Sequence, residues 1–128
     1  MARAHPAHPT LDASNVVLLA GDLSGPPRRR ELPSGSVLVE FDVTTRGESG
    51  TGSVPVAWFD PGTAADGVLA GTSVVVAGHV RRRFFRAGNV TQSRTEVVAS
   101  RVIVSGRAAA IARLRALVAE LLSGSSRE

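Results

Sequence analysis

The chain has 128 residues, of which 43% are hydrophobic and 20% are charged, with a net charge of +4 and no cysteine. This length fits one compact domain, and the lack of cysteine excludes disulfides, thiol catalysis and cysteine-bound metals. No apolar run approaches the roughly 18 residues of a membrane span, and the first residues lack the apolar segment of a secretory signal. We expect a soluble cytoplasmic protein that does not bind membranes.

Arginine supplies all fifteen basic residues, and the base composition of a genome explains that choice as well as selection does. The placement of the arginines is more informative than their number. No acidic residue lies between Asp66 and Glu96. The arginines in that interval are Arg81, Arg82, Arg83, Arg86 and Arg94. A local positive field of this kind favours a polyanionic partner.

The first two predicted strands flank a basic loop. The segment NVVLLAGDL, from Asn15 to Leu23, is largely apolar, and SGPPRRRELPSG after it has the Pro and Gly content of an exposed loop. The arginines of this loop, residues 28–30, are either phosphate contacts or solvated surface, with neither favoured. The next segment, GSVLVEFDVTTRG, alternates apolar and polar residues as a half-buried strand does.

Three further strands are predicted after the turn ESGTG. In the third, Trp58 points inward and Phe59 outward, while Pro55 indicates an edge position. The segment DPGTAADGVLAG predicts a short helix or an irregular connection. The fourth and fifth strands, TSVVVAGHVRRRFF and TQSRTEVVASRVIV, are joined by an RAGN hairpin.

A helix is predicted after the last strand, over residues 106–122. Its apolar residues recur at helical spacing: Ile111, Leu114, Leu117, Val118, Leu121 and Leu122. This amphipathic stripe is expected to pack on its own barrel or a sister subunit, and docking of a different protein is the alternative. Residues 1–13 and 123–128 are expected to be a disordered leader and tail around a domain at residues 14–105.

The adjacent phenylalanines of the fourth strand must point to opposite faces. Phe84 continues the inward register and is predicted to be the core ring, whereas Phe85 emerges beside Arg81 and Arg83. Arg82 breaks the inward register, which indicates a bulge, a strand end or an acidic partner. Stacking a base is worth ~1–3 kcal/mol and burying a phenylalanine ~1.5–3 kcal/mol. Because these energies are similar, the residues around Phe85 must distinguish a binding role from a packing role.

The cationic neighbours of Phe85 favour a platform for single-stranded nucleic acid, and packing against another subunit or the terminal helix is the alternative. For Phe59 the two roles are equally supported. Arg81, Arg83, Arg86 and Arg94 are the predicted phosphate contacts, with Arg28, Arg29 and Arg30 as secondary candidates.

Four motifs in this order resemble the bacterial single-stranded DNA-binding protein (SSB) family: NVVLLAGDL, PSG before VLVEFDVTT, GTSVVVAGHVRRRFF and TEVVASRVIV. The resemblance covers residues 15–104 and implies a mainly β fold, a five-stranded OB-fold barrel followed here by an amphipathic α-helix. It matches Phe85 and Phe59 to two rings on which the family stacks DNA. It also implies a homo-oligomer, either a tetramer or a dimer.

The chain departs from the family in three respects. Ser49 and Ser53 lie near positions where the family often has tryptophans, so the stacking platform is reduced and weaker binding is implied. Glu40 and Asp42 place acids on a face that is usually uncharged, where they would repel phosphate unless arginines pair with them. The acidic tip through which the family recruits enzymes is replaced by the helix and SGSSRE.

The sequence therefore predicts a non-enzymatic, sequence-nonspecific binder of single-stranded DNA in replication, repair or recombination. It has no phosphate loop, metal motif, nucleophile elbow or plausible carboxylate pair, so no cofactor is expected. One alternative is an OB-fold protein-interaction module that has lost DNA binding, with Glu40, Asp42 and the helix as its surface. RNA binding is a further alternative, because stacking does not select the sugar.

Overall fold

The computed structural model describes residues 14–104 and 106–126. The predicted leader, residues 1–13, lies outside the described residues. Six strands, one short 3-10 helix (Gly62–Gly67) and one α-helix follow each other along the chain. In chain order the strands and the α-helix are β1 (Val17–Leu23), β2 (Arg28–Glu31), β3 (Val37–Gly47), β4 (Gly50–Phe59), β5 (Ser73–Ala87), β6 (Val90–Val104) and α1 (Arg107–Ser126).

Five of the strands close into a barrel in the order β1, β5, β6, β4, β3, with β1 and β3 joined again at Asp22 with Thr44 and Leu23 with Val43. All pairings are antiparallel except that of β4 with β6, which is parallel and limited to Val56 and Ala57. This closed barrel with a C-terminal helix is an OB-fold, as predicted.

The barrel core is aliphatic around one aromatic pair. The rings of Phe41 and Trp58 meet edge to face with centroids 6.5 Å apart, and Phe41 is fully buried. Valines from β3, β4, β5 and β6 fill the space around this pair, in agreement with the period-2 pattern of the sequence. The inward position predicted for Trp58 is confirmed.

Two local predictions are wrong. The basic segment Arg28–Glu31 is a strand and not a loop, because β1 covers β3 only near Val43 and leaves an open edge that the segment occupies. Pro55 is not in an edge strand, since β4 lies between β3 and β6. It is tolerated there because the parallel pairing with β6 begins only at Val56.

The β5–β6 hairpin extends past the barrel. Beyond Val80 the residues of β5 pair with β6 alone, down to a Gly88–Asn89 turn. The prediction of Phe84 as a core ring is therefore wrong, and its side chain is 67% exposed. Phe84 has the inward register that the sequence indicated, but the strand has already left the barrel at that point.

The helix α1 packs on the barrel through its first half. It contacts β1 and β5, and Ile111 and Leu114 line a pocket with Gly21 and Thr44. Toward its C-terminal end the apolar side chains are more exposed, with Leu122 at 64%. The helix continues to Ser126, four residues beyond the predicted end. Within the described residues no helix is long and apolar enough to cross a membrane.

Candidate nucleic-acid interface

One face of the β5–β6 hairpin brings together four of the nine predicted site residues: Arg81, Arg83, Phe85 and Arg94. Directly opposed residues of an antiparallel pair share a face, and here Arg81 is opposite Glu96, Arg83 opposite Arg94, and Phe85 opposite Gln92. Phe59 at the end of β4 joins them through a contact with Arg81. We call this surface the Phe85 face; it consists of Phe59, Arg81, Arg83, Phe85, Arg94 and Glu96.

A buried carboxylate lies at the centre of the Phe85 face. The Glu96 side chain is 1% exposed, and its Oε2 accepts hydrogen bonds from Arg81 Nη2 at 2.8 Å and Arg83 Nε at 3.1 Å. Arg94 Nε lies 3.5 Å from Glu96 Oε1, without hydrogen-bond geometry. A buried carboxylate requires such partners, and three arginines from two strands converge on this one.

The arginines keep Glu96 ionised. Burial by itself would raise the pKa of Glu96, because it disfavours the charged form. Hydrogen bonds from Arg81 and Arg83, together with their positive charges, outweigh burial and hold the pKa below its ordinary value. Each of these guanidinium groups is thereby held at a fixed place on the surface.

A second carboxylate, Glu40 of β3, connects the hairpin to the edge strand β2. Its oxygens lie 3.6 Å from Arg30 Nε and 4.0 Å from Arg83 Nη2. The sequence predicts that Glu40 repels phosphate unless an arginine pairs with it, and the structure shows this pairing. Arg28 and Arg29 are exposed and form no ion pair with any carboxylate in the described ranges.

Both rings of the Phe85 face have a cation above them. The guanidinium carbon of Arg81 lies 5.4 Å from the ring centroid of Phe59, and that of Arg83 lies 5.4 Å from the ring centroid of Phe85. Both rings are half-buried. Cation–π contacts of this length are attractive and orient the ring, so the two aromatic groups are held in place while part of each stays accessible.

The opposite face of the hairpin carries a third ring that the sequence pattern assigned to the core. Arg82, Phe84 and Arg86 follow each other there, and the Arg82 guanidinium carbon lies 5.7 Å from the Phe84 centroid. Arg86, a predicted phosphate contact, therefore lies on the side away from Phe85. The sequence signal that could have identified this face lies in β6. The residues that pair with Arg82, Phe84 and Arg86 are polar and are not core residues: Thr95, Ser93 and Thr91.

In the part of the chain that the structure describes, no three His, Asp or Glu side chains lie together in a group that could hold a metal ion.

Comparison with known proteins supports the fold. No family model matches the chain, and no curated protein matches it. Among solved structures the chain is similar to a Plasmodium falciparum SSB in complex with single-stranded DNA, with a TM-score of 0.63 and 18% sequence identity. The match covers 76% of this chain and 99% of that one. The protein thus has an SSB-like OB-fold.

Proposed function

We propose that the protein binds single-stranded DNA without sequence preference and without enzymatic activity. The observation that carries the proposal is the Phe85 face, where two half-buried rings each lie under an arginine guanidinium. Bases stack on rings of this kind, and the surrounding cations attract the backbone irrespective of sequence. The solved structure with a similar fold is a complex with single-stranded DNA.

The charge of this surface favours a polyanion even after internal pairing. Four arginines, residues 30, 81, 83 and 94, share two carboxylates, Glu40 and Glu96, which leaves two positive charges in excess. Arg28, which lies opposite Glu40 in the pairing of β2 with β3, adds to this field, whereas Arg29 lies opposite the core residue Val39 and so on the other face of β2. Phosphates are therefore attracted to a surface whose own acids are already engaged.

The location of the candidate residues also supports the proposal. OB-folds bind oligonucleotides with their second and third barrel strands and with the loops after the first and fourth strands. In this barrel those parts are β3, β4, the segment with β2, and the β5–β6 hairpin. Phe59, Phe85 and the basic residues 28–30 all lie there.

We infer that the protein acts in replication, repair or recombination in the cytoplasm, as a homo-oligomer of two or four chains. The exposed apolar side chains of α1, Val118, Leu121 and Leu122, offer a surface for a second copy or for a different protein. Membership of the bacterial SSB family is part of the same proposal and explains the order of the sequence motifs.

The proposal is tested by fluorescence anisotropy with a labelled oligothymidine, and with a duplex of the same length as the control. We expect clear binding to the single strand and weaker binding to the duplex, since paired bases cannot stack on Phe85. Equal affinity for both would indicate attraction by charge alone. An oligouridine in the same assay measures the preference between DNA and RNA.

One observation favours a second candidate, a protein-interaction module that has lost DNA binding. Glu96 already engages Arg81, Arg83 and Arg94, which reduces their attraction for phosphate. In that case the single strand would not bind even at low salt, where electrostatic binding is strongest. The same titration therefore separates the two functions.

A further inference from the structure

The β5–β6 hairpin has a second surface that the proposed site does not use. Past Val80 the residues of β5 pair with β6 alone, and the side of this hairpin that carries Phe84 is exposed. We call the side opposite Phe85 the Phe84 face; it consists of Arg82, Phe84, Arg86, Thr91, Ser93 and Thr95.

In the described part of the chain, the arginines of the Phe84 face have no carboxylate to neutralise them. It contains no acidic residue, and neither Arg82 nor Arg86 forms an ion pair within residues 14–104 and 106–126. Arg82 Nη2 donates a hydrogen bond to the Ser93 hydroxyl at 3.2 Å. On the other side of the ribbon, in contrast, Glu96 engages three guanidinium groups. Both faces of the hairpin thus carry two positive charges in excess, but only on the Phe84 face are all the arginines free of a carboxylate partner among the described residues.

The ring of Phe84 is the most exposed large apolar side chain among the described residues, at 67%. Burying the ring would be favourable, and the barrel does not provide that burial. Arg82 lies to one side of the ring, with 5.7 Å between guanidinium carbon and centroid. An exposed ring between two unpaired arginines has the composition of a base-stacking platform and not that of a core position.

We propose that the Phe84 face binds a second segment of the same single strand, with a base stacked on Phe84 and phosphates at Arg82 and Arg86. This inference rests on the proposed function. The strand passes from the Phe85 face around the edge of the hairpin, so the two sides hold one continuous nucleic acid. The absence of acids favours a polyanion over an apolar protein partner on this face.

The test compares Phe84→Ala with Phe85→Ala on oligothymidines of about 8 and about 35 nucleotides, lengths chosen within and well above the ~4–16 nucleotides that one OB-fold covers. Because Phe84 is largely exposed, its replacement should leave the melting temperature unchanged. We expect Phe84→Ala to lower affinity for the long strand about tenfold and for the short strand little, whereas Phe85→Ala lowers both.

Wild-type affinity of folded Phe84→Ala for both lengths would overturn this inference while leaving the proposed function intact. If the wild-type protein itself bound neither strand, the proposed function would fail instead. Sedimentation velocity adds the remaining outcome: a shift of Phe84→Ala to a smaller assembly would assign the ring to a contact between copies and overturn the proposal.

As a second variant, Arg82→Ala with Arg86→Ala should flatten the salt dependence for the long strand.

Discussion

Arg83 connects the buried charge of the hairpin to its aromatic surface. Its Nε donates to Glu96 Oε2 at 3.1 Å, while its guanidinium carbon lies 5.4 Å from the centroid of Phe85. The carboxylate thus holds the cation, and the cation covers part of the ring. Arg81 repeats the arrangement with the same oxygen and with Phe59, so one acid positions both rings of the Phe85 face.

Replacing Phe85 by alanine should weaken binding to oligothymidine by roughly tenfold to a hundredfold, because one stacked base contributes ~1–3 kcal/mol. Anisotropy at fixed salt measures the change. Phe59→Ala is the companion variant and should have a smaller or equal effect. Unchanged affinity of a folded Phe85→Ala protein would remove the ring from the site.

Replacing Glu96 by glutamine should lower the free energy of unfolding by about 1–3 kcal/mol, since hydrogen bonds between charged groups are lost in a buried place. Urea denaturation measures this loss. The matched control is Glu48→Gln in the exposed turn between β3 and β4, which should change stability by less than about 0.5 kcal/mol. Equal effects of the two substitutions would show that the arginine cluster contributes nothing specific to stability.

The contribution of Glu96 to stability should disappear in acid. Its pKa is lowered in the folded protein, so the folded state favours the ionised form and the stabilisation is complete above the unfolded value of about 4.3. The stabilisation is lost as the pH falls from there through the lower folded-state pKa. The stability difference between wild type and Glu96→Gln should therefore be constant near neutral pH and shrink below about pH 4.

That comparison has its own control, because the other carboxylates titrate in both proteins and cancel in the difference. A difference that grew as the pH fell would mean that Glu96 is protonated more easily in the folded protein than in the unfolded one, contrary to the pairing with Arg81 and Arg83.

The barrel itself was predictable from period-2 alternation and turn residues. Alternation correctly places Phe41 and Trp58 inside and separates the faces of Phe84 and Phe85. It could not show where β5 leaves the barrel, because side chains alternate in the same way on a free ribbon and in a closed sheet. The burial of Phe84 was wrongly predicted for that reason.

The partners of the site arginines were not predictable from local sequence. Glu96 is separated from Arg81 by 15 positions, and only the hairpin register brings the two together. Glu40 of β3 lies 4.0 Å from Arg83 of β5, and these two strands are far apart in the chain. The strand β2 was missed because its pairing depends on an open edge of β3, which is a property of barrel closure and not of the segment Arg28–Glu31.

Phosphate contacts from β2 should appear in the salt dependence of binding. Arg28 and Arg29 are exposed and form no ion pair in the described ranges. Arg28 lies opposite Glu40, on the side of the Phe85 face, whereas Arg29 lies opposite Val39 on the other side of β2. Each phosphate contact on a single strand contributes about −0.7 to the slope of log K against log salt, so replacing Arg28 by alanine should reduce the slope by about 0.7. The controls are Arg29→Ala on the other face of β2 and Arg113→Ala on α1; an equal reduction in these variants would indicate a general effect of net charge.

Replacing Gly78 by a larger residue should destabilise the protein, because β5 and β6 approach each other closely at this position. It lies at the register shift of β5 and β6, where an added Cβ would collide with the backbone carbonyl of Val98. Gly78→Ala should therefore destabilise the barrel by about 1–3 kcal/mol, because a backbone atom cannot move aside as a flexible side chain does. Gly47 at the end of β3 is the matched control, since its Cβ would meet nothing within 4 Å. Thermal unfolding followed by circular dichroism measures both variants, and a Gly78→Ala protein as stable as Gly47→Ala would contradict the close approach of the two strands.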